Sequence, residues 1–488
     1  MLHLGKKNNE LSHFAAVLSY ILRCCNISYT LSLCLYVCLR TVNDKILINA
    51  KYITLYVNMK KWIAIFSGLL IFHQALAQEQ VEEKKNEFSM GVQIRSRGEY
   101  RNGALFPRSE GDEPATFINN RARLWMSYKR DRLSLKVSGQ HVGVWGQDPQ
   151  IERNGRFMLN EAWANLDLGS GFFTKVGRQS LVYDDERILG GLDWNISGRF
   201  YDALKLGYED VKNKVHLILA FNQNEEKIIG GSYYAPGGQP FKNMQTLWYK
   251  YANGKSFDGS FLFMNLGQEA GDAVTQDSDT KYMQTTGANL AYYTGGFRLT
   301  GTFYYQFGKT VTDRDISALL WSVSASYAVN PKWKLMLASD YLSGDKGDKP
   351  DKLKAFNPLY GTHHKFYGTM DYFYASSFVN GHNPGLWDNQ LGVTFSPVDK
   401  LSLMLNYHCF STVVDMYDGA EKLKKHLGSE VDFQLSWNIM PDVSLSTGYS
   451  TMFGTQTMKA VKGGQPSRWQ DWGWISLNIN PTVFFSKW

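Results

Sequence analysis

From residue 88 onward, apolar and polar side chains alternate with a period of two. Val431, Phe433, Leu435, Trp437 and Ile439 alternate with Glu430, Asp432, Gln434, Ser436 and Asn438. Trp321, Val323, Ala325, Tyr327 and Val329 alternate with Ser322, Ser324 and Ser326. Leu401, Leu403, Leu405 and Tyr407 do so with Ser402, Asn406 and His408, and Ile475, Leu477 and Ile479 with Ser476, Asn478 and Asn480. This period puts successive side chains on opposite faces of a strand. Each run is about 9–12 residues long, enough to cross a bilayer as a tilted strand, whereas soluble strands are usually nearer 5 or 6.

The connections alternate as well. Short turns are expected near 129–132, 169–171, 210–213, 253–258, 294–296, 330–332, 398–400 and 440–442. Longer polar loops separate them, among them 102–116, 183–197, 225–242 and 415–427. Tight turns on one side and larger loops on the other are the outer-membrane pattern. The segmentation gives about 18 antiparallel strands. An even number returns both ends of the chain to the turn side. Lipid offers backbone N–H and C=O groups no partner, so the sheet must close on itself. The expected fold is an all-β transmembrane barrel over 88–488, with a water-filled lumen too wide for wall side chains to fill.

Composition agrees with this reading. Aromatic residues make up 14% of the chain, and Gly contributes 44 residues against 13 Pro. Tyr128, Trp333, Tyr341, Tyr407 and Trp437 fall near strand ends, where interfacial girdles form. No apolar run of about 20 residues follows residue 77, which argues against a helical bundle. No repeat of about 40–50 residues marks a propeller. The chain closes on Phe484-Phe485-Ser486-Lys487-Trp488. Its terminal aromatic resembles the assembly signal of outer-membrane barrels, and Ser486 departs from the usual pattern.

The N-terminal part reads differently. Met59-Lys60-Lys61, the apolar Trp62 to Phe72 and Ala75-Leu76-Ala77 form the three regions of a secretory signal peptide, assigned to 59–77. Residues 1–58 are then expected to be upstream sequence translated in error, and 78–87 a periplasmic entry segment. Of 52 Lys and Arg, 8 lie in 1–77 with only 2 of 45 Asp and Glu, so the remainder is close to neutral. Nothing in that balance implies nucleic acid. Four of five Cys precede residue 77, leaving Cys409 without an internal partner.

Strand parity assigns the inner face. In the first strand Val92 and Ile94 face lipid, so Gln93, Arg95, Arg97, Glu99 and Arg101 face the lumen. By the same rule Arg121 and Arg123, Arg199 and Lys205, and Glu161, Asn165 and Asp167 point inward. Arg178 and Arg298 are assigned inward because a charge on the lipid face costs about 2–4 kcal/mol at mid-bilayer. Such a basic stripe attracts anions into a pore. The competing reading is a salt-bridge lattice that stiffens the wall, with Glu99, Glu161, Asp167, Glu430 and Asp432 as counter-charges.

Three segments carry a family resemblance. They are Lys175-Val176-Gly177-Arg178-Gln179 with Tyr183-Asp184-Asp185-Glu186-Arg187; Trp194-Asn195 leading to Arg199-Phe200-Tyr201-Asp202; and the run from Asn357 to Gly368 with Asp371. Across 88–488 the chain resembles the alginate-export family of outer-membrane barrels. The resemblance implies a monomeric 18-stranded barrel with an arginine-lined conduit for an anionic polysaccharide. It points to Arg95, Arg97, Arg121, Arg123, Arg178 and Arg199 as pore residues. The expected partners are therefore outer-membrane lipid, an anionic glycan or sugar solute and a periplasmic export partner.

A general diffusion porin for small nutrients is the alternative function. An enzyme is not expected, because His141, His216 and His408 are scattered among strands without a nucleophile or acid-pair motif. His363, His364 and His382 have no acidic or Cys partner at ligand spacing, so neither metal nor cofactor is expected. The long segment 345–383 turns from lysine-rich to aromatic and Gly-rich. It either folds into the mouth as a gate or sugar platform, or is an ordinary outside loop.

Overall fold

The computed structural model describes residues 86–148, 156–231, 233–234, 240–270 and 279–488. The leader assignments at 1–58 and 59–77, and 78–85 of the entry segment, lie outside the described residues.

The strands are β1 (Glu87–Asn102), β2 (Ala115–Arg130), β3 (Leu133–Val144), β4 (Phe157–Gly169), β5 (Phe172–Gln179) and β6 (Tyr201–Glu209). They continue as β7 (Asn213–Phe221), β8 (Asn243–Ala252), β9 (Phe257–Glu269), β10 (Thr280–Thr294), β11 (Phe297–Lys309) and β12 (Asp315–Asn330). The rest are β13 (Trp333–Leu342), β14 (Leu386–Val398), β15 (Leu401–Ser411), β16 (His426–Met440), β17 (Val443–Gly454) and β18, which runs Asp471–Ile479 and resumes at Thr482–Lys487. Each strand pairs antiparallel with its sequence neighbour. β1 pairs with both segments of β18, which closes an 18-stranded barrel. The break in β18 is Asn480-Pro481, where the proline carbonyl still accepts from Val92 N–H at 3.2 Å. A proline in a ladder is tolerated at such an interruption because it has no N–H to donate.

All eight short turns fall where the alternation placed them, and both described ends lie on the turn side. There Asn86 and Trp488 exchange backbone hydrogen bonds of 2.6 and 2.9 Å. Asp131, Ser170 and Asp442 sit in these turns with positive φ, a conformation short polar residues tolerate. Aromatic rings gather near the same end, with Trp333 stacked on Phe395 at 4.3 Å and Phe172 against Tyr208 at 4.8 Å.

The wall has the polarity of a membrane barrel. Leu124, Val323, Leu391, Leu405 and Ile475 are exposed on the outside. Arg97, Glu99, Arg121, Gln140, Gln306, Asp340, Asp388 and Glu430 are buried inside. At Ser138–Gly139 the β3–β4 register shifts, so Asn160 and Glu161 are accommodated by a bulge and the inward phase of β4 changes there. No helix among the described residues is long and apolar enough to cross a membrane. The one α-helix described, α1 (Gln456–Lys462), lies in the last loop.

Burial of so many polar wall residues has a specific cause. Two loops fold into the lumen, the third (180–200) and the seventh (343–385). They bring Leu181, Ile188, Leu189, Leu359, Tyr367, Met370, Tyr372 and Phe373, each almost fully buried, into one apolar cluster with wall residues. The lumen is therefore narrowed by loop: within segment 345–383, residues 346–351 stay exposed, and the stretch from Phe356 to Phe373 supplies the part buried in the barrel.

Candidate pore constriction and solute cavity

The third loop crosses the lumen between two anchor points. Its first anchor is the run Asp184-Asp185-Glu186-Arg187. The Asp184 carboxylate accepts from Trp248 Nε1 at 3.0 Å and from Tyr304 OH at 3.4 Å. Asp185 accepts from Thr302 Oγ1 at 2.9 Å. Arg187 donates to Asp340 Oδ1 at 2.8 Å and Ser322 Oγ at 2.9 Å. These partners stand on β8, β11, β12 and β13 at inward positions, so the period-two pattern of the wall supplies the sockets. Asp184 and Glu186 adopt positive φ, which bends the run so that successive side chains reach different strands.

The second anchor is the loop tip, 193–196, held by the arginine stripe of β1 and β2. Arg95 donates to the Asp193 carbonyl at 2.7 Å and its carboxylate at 3.2 Å. Arg121, with no exposed surface, donates to the carbonyls of Ile196 at 2.5 Å and Asn195 at 2.8 Å, and to Asp193 Oδ1 at 2.7 Å. Arg97 donates to the Trp194 carbonyl at 2.8 Å and lies 3.8 Å over the Trp194 ring. Hydrogen bonds to a charged group contribute about 1.5–3 kcal/mol each, so this is a firm attachment. Asp193 is largely exposed, and its ion pairs count for less than the buried carbonyl contacts.

The seventh loop locks against the third. Tyr360 N–H donates to Ile188, and Gly190 N–H donates to Tyr360, in a short parallel bridge. Farther along, Met370 N–H donates to Glu430 Oε1 at 2.8 Å and Thr369 Oγ1 to Asp432 Oδ1 at 2.5 Å. His364 stacks on Trp194 at 4.2 Å and contacts Asp371 Oδ2 through Nδ1 at 2.9 Å. In the last loop Lys462 Nζ donates to the carbonyls of Ser376 and Ser377. Burial among apolar rings lowers that ammonium to about 7.

The sequence-derived candidates separate into distinct environments. Arg95, Arg97 and Arg121 hold the third loop. Among the described residues Arg123 bonds only Gln140 Oε1, at 2.9 and 2.7 Å. Arg101 pairs with Glu99 at 2.8 Å. Arg199 lies in the loop just before β6 and donates to the carbonyls of Gly190, Tyr360 and Gly361. Lys205 and Arg298 face inward nearer the turn side, with Arg298 5.2 Å over Tyr293. Arg178 differs from the expectation: it is on the outer face. Its neighbours Gly177 and Gln179 point inward, and it pairs across strands with outward Asp202 at 2.8 Å. It stands next to the end of β5, near the rim, where an outward charge costs about 0–1 kcal/mol.

Among the acids, Glu99 is buried between Arg97 and Arg101. Glu161 pairs with Lys136 at 2.6 Å, and Asp167 accepts from Gly169 N–H in the turn. Glu430 and Asp432 are on the far wall, holding the seventh loop and, for Asp432, facing His408 at 3.4 Å. Of the five acids, only Glu99 pairs with the stripe. Asp193 from the loop takes the place the other wall acids were expected to fill. Asp193, Trp194, Arg187, Asp340 and His364 were missed by parity because their partners are non-local.

Between the two loops and β1–β2 is a cavity of about 760 Å³. Arg97, Arg101, Phe117, Trp194, Arg199 and Tyr360 contribute to its lining. His363 and Asp371 border it too, with His363 Nε2 and Asp371 Oδ1 buried away from its surface. The arrangement offers guanidinium edges and aromatic faces, which together suit a polar ring bearing a negative group. Among the described residues no His, Cys, Asp and Glu group suits a metal ion.

Burial lowers His363 from 6.5 to about 4. Docking of the seventh loop thus favours the neutral imidazole. The loop is held most firmly above pH 6.5 and loses that contribution as the pH falls from 6.5 towards about 4. Acidification from neutral to pH about 4.5 is expected to raise single-channel conductance, and His363→Gln to flatten that response. An unchanged pH profile in the variant would remove His363 from this role.

The sequence model for alginate export matches residues 86–465. Similar solved structures include Pseudomonas aeruginosa OpdK with vanillate, at 10% identity and TM-score 0.53, covering 82% of this chain and 99% of that one. Acinetobacter baumannii OccAB4 is 14% identical at TM-score 0.53, with 84% and 99% covered. OccAB1 of the same organism is 12% identical at TM-score 0.54, with 81% and 97% covered. At these identities the likeness is one of fold. No curated protein matches the sequence.

Proposed function

Because this chain belongs to the alginate export family, and is a bacterial outer-membrane channel for solutes, we propose that its cargo is an anionic, sugar-like solute, from uronate units to an anionic polysaccharide. Passage is passive and the barrel acts as a monomer. The observation that supports this reading is the composition of the cavity between the loops. Arg97, Arg101 and Arg199 border it beside the faces of Phe117, Trp194 and Tyr360. The carboxylates closest to them are engaged, Glu99 by two arginines and Asp371 by His364. A ring carrying a carboxylate meets both chemistries at once: charge-assisted bonds at one edge and an apolar face for stacking.

The test is ion selectivity in planar bilayers under a salt gradient, followed by titration of glucuronate against glucose. An anion-preferring channel whose current is blocked by glucuronate and not by glucose is the expected result. Cation preference with equal indifference to both sugars would overturn the reading.

The vanillate bound in the OpdK structure supports a second reading, passage of small organic carboxylates. Liposome swelling separates the two. Fast uptake of small carboxylates with exclusion of uronate oligomers favours the small-solute channel.

A further inference from the structure

The arginine stripe is largely committed to the third loop, but other cations of the inner wall are not. Two stand out, Lys175 on β5 and Lys205 on β6. They are directly opposite each other across adjacent antiparallel strands, and both face the lumen. Like charges in that register repel. Among the described residues neither has a carboxylate within ion-pair distance.

Of the nearby acids, the two glutamates are paired with other cations, while Asp167 and Glu209 border the same part of the lumen as the lysines. Glu161 is held by Lys136 at 2.6 Å and by Trp163 Nε1 at 3.1 Å. Glu209 is held by Lys214 at 2.5 Å and His216 at 2.9 Å. Asp167 accepts from Gly169 N–H at 2.8 Å. The two ammonium groups instead rest on rings: Lys175 Nζ is 3.6 Å from the Trp163 centroid and Lys205 Nζ 5.6 Å from that of Phe173. All four side chains border a second cavity of about 530 Å³, with Asn165 and Ser134 on its edge. Every residue lining it comes from β3 to β6 and their short turn, so no inward loop covers it.

We propose that this cavity is a second, periplasm-facing subsite for a carboxylate-bearing sugar. One carboxylate between Lys175 and Lys205 relieves their mutual repulsion. Asn165 and Ser134 offer hydrogen bonds to ring hydroxyls, and Trp163 and Phe173 supply the apolar surface. Its place on the turn side, away from the cavity between the loops, lets it capture solute arriving from the periplasm. This inference rests on the anion-channel reading and goes beyond it by placing a second binding site at Lys175 and Lys205.

The experiment uses the full barrel inserted in one orientation in a planar bilayer, with glucuronate added to one side at a time. Turn-side block by glucuronate is expected in the parent, with an on-rate that falls about tenfold in Lys175→Gln/Lys205→Gln. Block from the loop side should stay within about twofold, because that cavity is untouched. Lys175→Arg/Lys205→Arg keeps both charges and should retain turn-side block. Should the double glutamine variant fail to insert, Lys205→Gln alone is expected to lower the turn-side on-rate. Equal turn-side block in parent and glutamine variants, in a channel that still prefers anions, would overturn the subsite and leave the anion-channel reading standing. A channel that prefers cations and is blocked from neither side would overturn both.

Discussion

Replacing Arg95 and Arg121 together by glutamine is expected to raise single-channel conductance several-fold, rather than only weaken anion preference. The reason is what these guanidinium groups touch. Between them they donate to the carbonyls of Asp193, Asn195 and Ile196 and to the Asp193 carboxylate. Arg121 has no exposed surface, so its charge is balanced by the loop tip and not by water. Breaking such buried charged contacts costs about 3–5 kcal/mol, and the exposure of Asp193 puts this case towards the lower end. Even about 3 kcal/mol shifts a docked-to-free equilibrium by more than a hundredfold. The loop tip would then leave the β1–β2 wall and widen the path beside it. Arg123→Gln is the matched control. Among the described residues Arg123 bonds only the Gln140 side-chain oxygen, so its loss should reduce anion preference with no gain in conductance. The measurement is single-channel conductance together with reversal potential for both variants. If the double variant loses anion preference at unchanged conductance, the arginines line an open pore and do not tether a loop.

That contrast shows where the sequence was legible. Lipid imposes a period of two on every strand, because an outward polar side chain or an unpaired backbone group is costly at membrane depth. Val431 to Ile439, Trp321 to Val329 and the turn positions therefore reveal the wall directly. Parity also puts Arg95, Arg97 and Arg121 on the correct face. It does not say what they meet there. Arg187 and Asp340 lie 153 residues apart, and Trp248 and Asp184 lie 64 apart, with no periodic signal joining them. Loop docking is decided by such pairs, so local pattern leaves segment 345–383 with two alternatives and gives no signal for the third loop.

Arg178 failed for a different reason. The rule that charges avoid lipid weakens near the rim, and Val176 on the lipid side already places residue 178 on the same face. Gly177 beside it has φ +113, and a Cβ there would meet the Ala162 carbonyl oxygen at 2.3 Å. The glycine of that motif thus permits a close strand approach, while the arginine after it pairs with Asp202 outside. Parity treats Arg199 as a strand residue, but β6 starts only at Tyr201, which lets Arg199 clamp the seventh loop.

Arg187→Met should cost about 3–5 kcal/mol of loop docking, because it leaves a buried carboxylate without its cation. Arg187 and Asp340 are both almost fully buried and meet at 2.8 Å. Arg187 also bonds Asp185 and Ser322, contacts Tyr367 OH at 3.3 Å and lies 3.9 Å over the Phe366 ring. It therefore joins the third loop, the seventh loop and the β12–β13 wall at one point. Without it Asp340 retains only Gln390, at 3.2 Å, and the two loops lose their shared fixture. Asp340→Asn alone should be damaging as well, since the guanidinium then lacks its main counter-charge. The pair Arg187→Met/Asp340→Asn removes both charges, and its cost should fall short of the sum of the two by about 2–3 kcal/mol. Hydrogen exchange gives the local readout: amides of 184–192 and 359–373 should lose protection in either single variant. Strand amides should not, because the ladder closes through the backbone and does not depend on this pair. Strictly additive losses in the double variant would mean that Arg187 and Asp340 act through separate partners. Loss of protection throughout the strands would mean that the barrel wall needs its inner loops in order to stay closed.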